Sequence, residues 1–149
     1  MKKFNKLSGA HKADLWRYCI LYKNGGIYLD IKTILVKPLK SIFTQNYFYT
    51  VISYSKNHLH QGIIATPPGN PILFKAIMNI LHTPINDILS NYHIFTQYLY
   101  KIIMKQQASR IYLFQEQCIK GNDKYGFYCT IKDGDEIIFK TRFSDFPWI

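Results

Sequence analysis

Two charged residues interrupt an otherwise apolar helical stretch, and a carboxylate follows where a short buried strand should end. Between Ala13 and Tyr22, the residues Leu15, Trp16, Tyr18, Cys19, Ile20 and Leu21 are apolar or aromatic, and only Asp14 and Arg17 carry charge. Three positions apart, these two share one helix face. A helix that is apolar nearly all round is expected to be buried on most sides. Buried charges are costly unless paired or bound to something polar. The chemistry on offer is a carboxylate and a guanidinium facing a hydroxyl-rich ligand. The plainer reading is a salt bridge at the rim of the core. Gly25-Gly26-Ile27-Tyr28-Leu29-Asp30-Ile31-Lys32 comes next. Its glycines allow a tight helix-to-strand turn, and Asp30 emerges at the strand's end. In open α/β sheets ligands bind beyond the carboxyl ends of strands, so Asp30 is a candidate for contact with a metal, a ribose or a phosphate.

The elements that must position these groups can be read along the chain. A helix is predicted over Ala10 to Lys23, with Ser8 or Gly9 at its start and Asn24-Gly25-Gly26 as its stop. Short strands are predicted at Gly26 to Asp30 and Thr33 to Val36, and further strands at Tyr47 to Tyr54 and Gly62 to Ala65. Asn70-Pro71 opens a helix that runs to about His82. Another helix covers Asn91 to Gln106. Ile111 to Phe114, Phe127 to Ile131 and Ile137 to Lys140 read as strands, with Asp133-Gly134 as a turn between the last two. Alternating helices and strands that give way to a β-rich end make this an α/β fold, taken as a single domain over residues 1–149.

A-D-L-W-R-Y, then L-Y-K-N-G-G-I-Y-L-D-I, resembles the signature of the glycosyltransferase family 32 group, the sugar-binding region containing the DXD motif. The likeness is dense from His11 to Lys40, and Gln61-Gly62-Ile63 followed by Pro68-Gly69-Asn70-Pro71 resembles the family's later segment. The resemblance implies a GT-A-like fold and transfer of a hexose from a nucleotide-diphospho-sugar donor to a glycan or other hydroxyl acceptor, with retention. It implies substrate-binding roles for Asp14, Arg17, Tyr28, Gln61 and Gly62. It makes Asp30 the first Asp of the motif and a ligand of Mn²⁺ or Mg²⁺. Trp148 matches a tryptophan that closes over the nucleotide in relatives, or else packs the chain end onto the core.

Two departures stand out. The motif reads Asp30-Ile31-Lys32, so an ammonium stands where the family has its second carboxylate. Lysine cannot ligate a cation. It either contacts the diphosphate as a point charge, weakening metal dependence, or faces solvent while Asp30 holds the metal alone. The motif helix also begins within ten residues of Met1, so the GT-A-like core is expected to be N-terminally truncated, with a complementing N-terminal segment as partner. A relative that is non-catalytic, or half of a split gene, is the alternative function.

Composition limits the other readings. The 149 residues include 19 Lys+Arg against 9 Asp+Glu, 48% hydrophobic and 16% aromatic. This is a basic surface that should attract anions, although the excess of Lys, Ile, Asn and Tyr also fits an AT-rich genome. A nucleic-acid-binding module is the rival from another class. Scattered lysines, aromatics at core periodicity and the lack of an RRM, KH or zinc-finger signature argue against it. Cys19, Cys118 and Cys129 are odd in number and far apart, which predicts no disulfide framework or zinc site. With no apolar leader and no long apolar run, the expectation is a cytoplasmic protein without a transmembrane segment, free or peripheral at a membrane face. His58-Leu59-His60 could put two rings on one strand face, and Tyr92-His93 opens a helix near Asp87, but ordinary polar contacts explain both.

Overall fold

Ser8 starts the helix that carries the charged pair. Its Oγ accepts a hydrogen bond from the His11 backbone N–H at 3.3 Å and lies 2.8 Å from His11 Nδ1. At the other end the Gly25 N–H closes onto Leu21 O at 2.8 Å. Gly25 has φ 65°, and a Cβ there would lie 2.7 Å from the Pro68 nitrogen, so only glycine fits this turn. The computed structural model describes residues 2–44, 46–55, 57–106, 110–120 and 127–142. Trp148 therefore lies outside the described residues.

Helices α1 (Lys2–Lys6) and α2 (Gly9–Asn24) lead into strands β1 (Gly26–Leu29) and β2 (Thr33–Leu35). A short helix α3 (Leu39–Ile42) precedes β3 (Phe48–Ile52) and β4 (Leu59–Thr66). Helices α4 (Pro71–His82), α5 (Ile85–Ser90) and α6 (Ile94–Lys105) follow, then β5 (Ile111–Lys120), β6 (Phe127–Asp133) and β7 (Glu136–Arg142). The Asn70 side chain caps α4 at Ile72 N–H, 2.9 Å away, with Pro71 in the first turn. The predicted Asp133-Gly134 turn is a hairpin that pairs Asp133 with Glu136, Gly134 taking φ 59°.

The seven strands are ordered β1-β4-β3-β5-β6-β7-β2. Among the described residues only β3 and β5 pair in parallel. The architecture is thus α/β as expected, but its sheet is mostly antiparallel. β5 is shared between two half-sheets. Ile111 to Gln115 pair with Phe48 to Ile52, and Gln115 to Lys120 pair with Phe127 to Lys132. Only Asp30, Ile31 and Lys32 separate β1 from β2, which form the two outer edges. Such a stretch reaches at most about 14 Å, whereas the outer strands of a flat seven-strand sheet lie about 29 Å apart. The sheet must therefore curl, and the Asp30 turn draws its edges together.

Residues from the two faces of the central strands enter separate cores. Phe48 and Ile64 join Leu15, Tyr18, Leu73, Phe95 and Leu99 under the helices. Tyr49, Val51 and Ile63 join Phe114, Ile131 and Phe139 on the other side. Two expectations are corrected. α2 is not buried on most sides, because Trp16 is 54% exposed and Cys19 is exposed, so one flank of the helix is left uncovered. Cys118 and Cys129 are disulfide-bonded, because the register sets them opposite each other on β5 and β6, a pairing that their wide spacing does not encode. Among the described residues no helix is long and apolar enough to cross a membrane.

Candidate functional site

β1 and the parallel pair β3–β5 run in the same direction, and a cleft of about 470 Å³ opens beyond the end of β1 and the end of β3. Asp14, Arg17, Asp30, Gln61 and Gly62 line it, together with Ser53, His58, His60, His93 and Glu116. Its position agrees with the general placement of ligand sites in α/β sheets. A second recess of about 370 Å³, lined by Phe43, Tyr47, Tyr49 and Pro68 among others, has no charged side chain in its wall among the described residues.

Arg17 is the hub of the cleft. It is 5% exposed. Its Nη1 donates to Gln61 O at 2.8 Å, its Nη2 donates to Tyr28 Oη at 3.1 Å, and its guanidinium lies 4.1 Å from the Tyr28 ring centroid. Nη2 is also 3.4 Å from both Asp14 Oδ1 and Asp30 Oδ1. The salt bridge anticipated for Asp14 and Arg17 therefore exists, but as part of a two-carboxylate cluster in a cleft. Arg17 Nε is buried with no hydrogen-bond partner among the described residues.

Burial pushes the Asp14 carboxyl above its usual range, with Arg17 and a hydrogen bond from Gln61 pulling the other way. Tyr18, fully buried, donates to Gln61 Oε1 at 2.6 Å, and its own phenol is pushed up by burial. Tyr28 donates to Asp30 Oδ1 at 2.7 Å. Burial and this hydrogen bond raise the Tyr28 phenol. Asp30 itself is held by its backbone: its N–H donates to Gly62 O at 2.8 Å, and its carbonyl accepts from Thr33 N–H at 2.8 Å.

A β-bulge arranges the far wall. Between the pairs Val51–His60 and Tyr49–Ala65, β3 advances two residues while β4 advances five. The extra residues bend β4, so that His60, Gln61 and Gly62 all reach the cleft. A Cβ on Gly62 would lie 2.7 Å from Asp30 Oδ2 and 2.7 Å from His60 Nε2. His60 Nδ1 lies 3.2 Å from Glu116 Oε1. Glu116 Oε2 accepts from Ser53 Oγ at 2.8 Å and from Tyr54 N–H at 3.1 Å. Burial lowers the His60 pKa, against the pull of Glu116.

Six of the residues singled out from sequence thus come together: Asp14, Arg17, Tyr28, Asp30, Gln61 and Gly62. Lys32 does not join them, being exposed in the turn after Asp30 and outside the cleft wall. His58 and His93 pack with ring centroids 5.0 Å apart and planes tilted by 51° at the cleft's edge, and Asp87 is exposed away from it. Glu116 was missed. Continuing the inward alternation from Phe114 by two residues along β5 is the signal that would have found it.

No solved structure significantly matches the chain. Over 74 residues it is 36% identical to the uncharacterized glycosyltransferase L373 of Acanthamoeba polyphaga mimivirus, a stretch that covers 48% of this chain and 29% of that relative. The chain thus spans under a third of the length of the curated relative it matches. A family described as glycosyltransferase sugar-binding region containing DXD motif matches residues 1–49, so the resemblance read from the Asp14 to Lys32 motifs is shown over the first third of the chain.

Proposed function

We propose that this chain is the donor-binding core of a glycosyltransferase that moves a hexose from a nucleotide-diphospho-sugar to a hydroxyl of a glycan or other acceptor, with retention. The observation that carries the reading is the convergence of Asp14, Arg17 and Asp30 on one cleft at the end of β1. A sugar suits that cluster because each hydroxyl both donates and accepts. Asp14 accepts from the sugar, and Arg17 holds Asp14 and Asp30 beside it. Tyr28 holds Asp30 in place, and Gln61 holds Asp14.

The residues fit a divalent cation such as Mn²⁺ or Mg²⁺ at Asp30, since the missing side chain of Gly62 leaves a cradle beside Asp30 Oδ2. When bound, that cation neutralises charge on the leaving diphosphate. Lys32, exposed two residues on, supplies a further positive charge to the same diphosphate and lessens the demand for metal.

β1 ends the sheet, and among the described residues no strand pairs with its outer edge, while Ile27 is 42% exposed. Open edges accept further strands, and we place a complementing segment there. Donor hydrolysis tests the reading. With UDP- and GDP-hexoses, Asp30→Ala is expected to lower the rate at least about 100-fold, the scale of losing one well-placed charge-stabilising group. Equal rates for wild type and Asp30→Ala would remove the enzyme reading.

A further inference from the structure

The turn after β1 offers one carboxylate where two would hold a cation well, and the structure supplies another donor from a different strand. We propose that Asp30 Oδ2 and His60 Nε2 form a divalent-cation site, with His60 serving in place of the carboxylate absent at Lys32.

The first support is convergence. Both donor atoms lie 2.7 Å from one point, the position of a Cβ that Gly62 does not have. They are therefore at most about 5.4 Å apart, both on the side of Gly62 from which a side chain would project. A cation with ligands at about 2.0–2.2 Å needs donors this close together that can turn toward one centre.

The second support is the outer partners. A metal-bound imidazole is nearly always oriented by a carboxylate or carbonyl at its other nitrogen, and a metal-bound carboxylate by a hydrogen bond at its other oxygen. Glu116 Oε1 faces His60 Nδ1 at 3.2 Å, and Glu116 is fixed by Ser53 and the Tyr54 backbone. Asp30 Oδ1 takes the Tyr28 hydroxyl at 2.7 Å, and the Arg17 guanidinium is nearest that same oxygen. Oδ2 is thus the oxygen turned toward His60. One carboxylate and a neutral imidazole attract a hard cation less strongly than two carboxylates. Two protein ligands also leave room for phosphate oxygens, as Mg²⁺ sites commonly do. The set Glu116, Cys118 and Cys129 also brings three candidate ligand atoms together, but its two sulfurs are bonded to each other.

The proposal rests on the donor-site reading only for the source of the anionic co-ligand, and its test does not need a sugar donor. The chain is loaded with Mn²⁺ and inorganic pyrophosphate, and pulsed electron paramagnetic resonance reads nitrogen hyperfine coupling from a bound imidazole. The coupling is expected in wild type, lost in His60→Ala and His60→Gln, and retained in His58→Ala. Gly62 lies outside the left-handed region, so Gly62→Ala is opposed by the two donors and not by its own backbone. This variant is expected to bind Mn²⁺ at least about tenfold more weakly. Circular dichroism checks that each variant is folded. Bound Mn²⁺ without nitrogen coupling in wild type, or coupling that persists in both His60 variants, overturns the site. Donor hydrolysis measured alongside separates the two readings: hydrolysis without nitrogen coupling removes only the His60 ligand, and coupling without hydrolysis removes only the transferase.

Discussion

Replacing Arg17 with methionine keeps the apolar stem and removes the cation placed between Asp14 and Asp30. Breaking a buried pair by deleting one partner costs about 3–5 kcal/mol, because a charge is left uncompensated. The Asp14 side chain is 14% exposed and that of Asp30 is 39% exposed, so solvent screens part of the loss, chiefly at Asp30. The Gln61 carbonyl and the Tyr28 hydroxyl also lose a donor. The expected destabilisation is about 3 kcal/mol, which for a chain of this size lowers Tm by roughly 6–12 °C. Urea unfolding followed by circular dichroism measures it. A double-mutant cycle with Asp14→Asn tests the cause. In Arg17→Met the Asp14 charge is the penalty, so adding Asp14→Asn should restore at least about 1 kcal/mol, giving a cycle that is not additive. The reasoning fails if Arg17→Met is within about 0.5 kcal/mol of wild type, the range of an ordinary surface substitution. It fails equally if the two substitutions simply add.

The raised Asp14 carboxyl makes a prediction about pH. The folded chain keeps a proton on Asp14 to higher pH than the unfolded chain does, so this group's contribution is fully present below the ordinary value of 3.8 and is lost as pH rises through the raised folded value. Stability curves for Asp14→Asn should lack that decline, and parallel curves for the two proteins would refute the assignment. Tyr18→Phe removes the 2.6 Å bond to Gln61 Oε1 inside the core, so a loss of about 1–2 kcal/mol is expected in urea, with donor binding weakened because Gln61 steadies Asp14. Gly25→Ala should unfold the chain or prevent its accumulation, because its Cβ would overlap Pro68 and the Thr66 carbonyl at a φ of 65°; a soluble variant with an unshifted Tm would refute this.

What could be read from the sequence was local. The Ser8 start, the Asn24-Gly25-Gly26 stop, the Asn70-Pro71 cap and the Asp133-Gly134 hairpin each depend on a few adjacent residues, and each appears in the structure. Asp14, Arg17 and Asp30 were identifiable for the same reason, since a helix face and a strand end are set within one turn or one strand. The missed features depend on distant partners. β5 runs on to Lys120 because β6 pairs with its second half, although Gln115-Glu116-Gln117 gives no apolar pattern there. Glu116 is buried by His60 and Ser53, more than fifty residues away, and the Cys118–Cys129 bond exists only in the β5–β6 register. α5 follows Pro84 for six residues, too short for a helical period to show.

The β4 bulge joins these local and distant parts. Were β4 regular, alternation would send His60 and Gly62 to one face and Gln61 to the other, and the Val51–His60 register would place Gly62 opposite Tyr49. Instead Ala65 holds that place, and the residues before it swing toward the cleft. The Gln61 carbonyl then meets Arg17, the Gly62 carbonyl meets the Asp30 amide, and His60 meets Glu116. Three consecutive residues thereby tie α2, the Asp30 turn and β5 into one wall. The curl of the sheet brings β2 back past the same point, since the Asp30 turn has only three residues with which to join its edges. A regular β4 would leave Arg17 and Asp14 as a rim salt bridge and Asp30 as a surface carboxylate, the bland reading that each residue carries on its own.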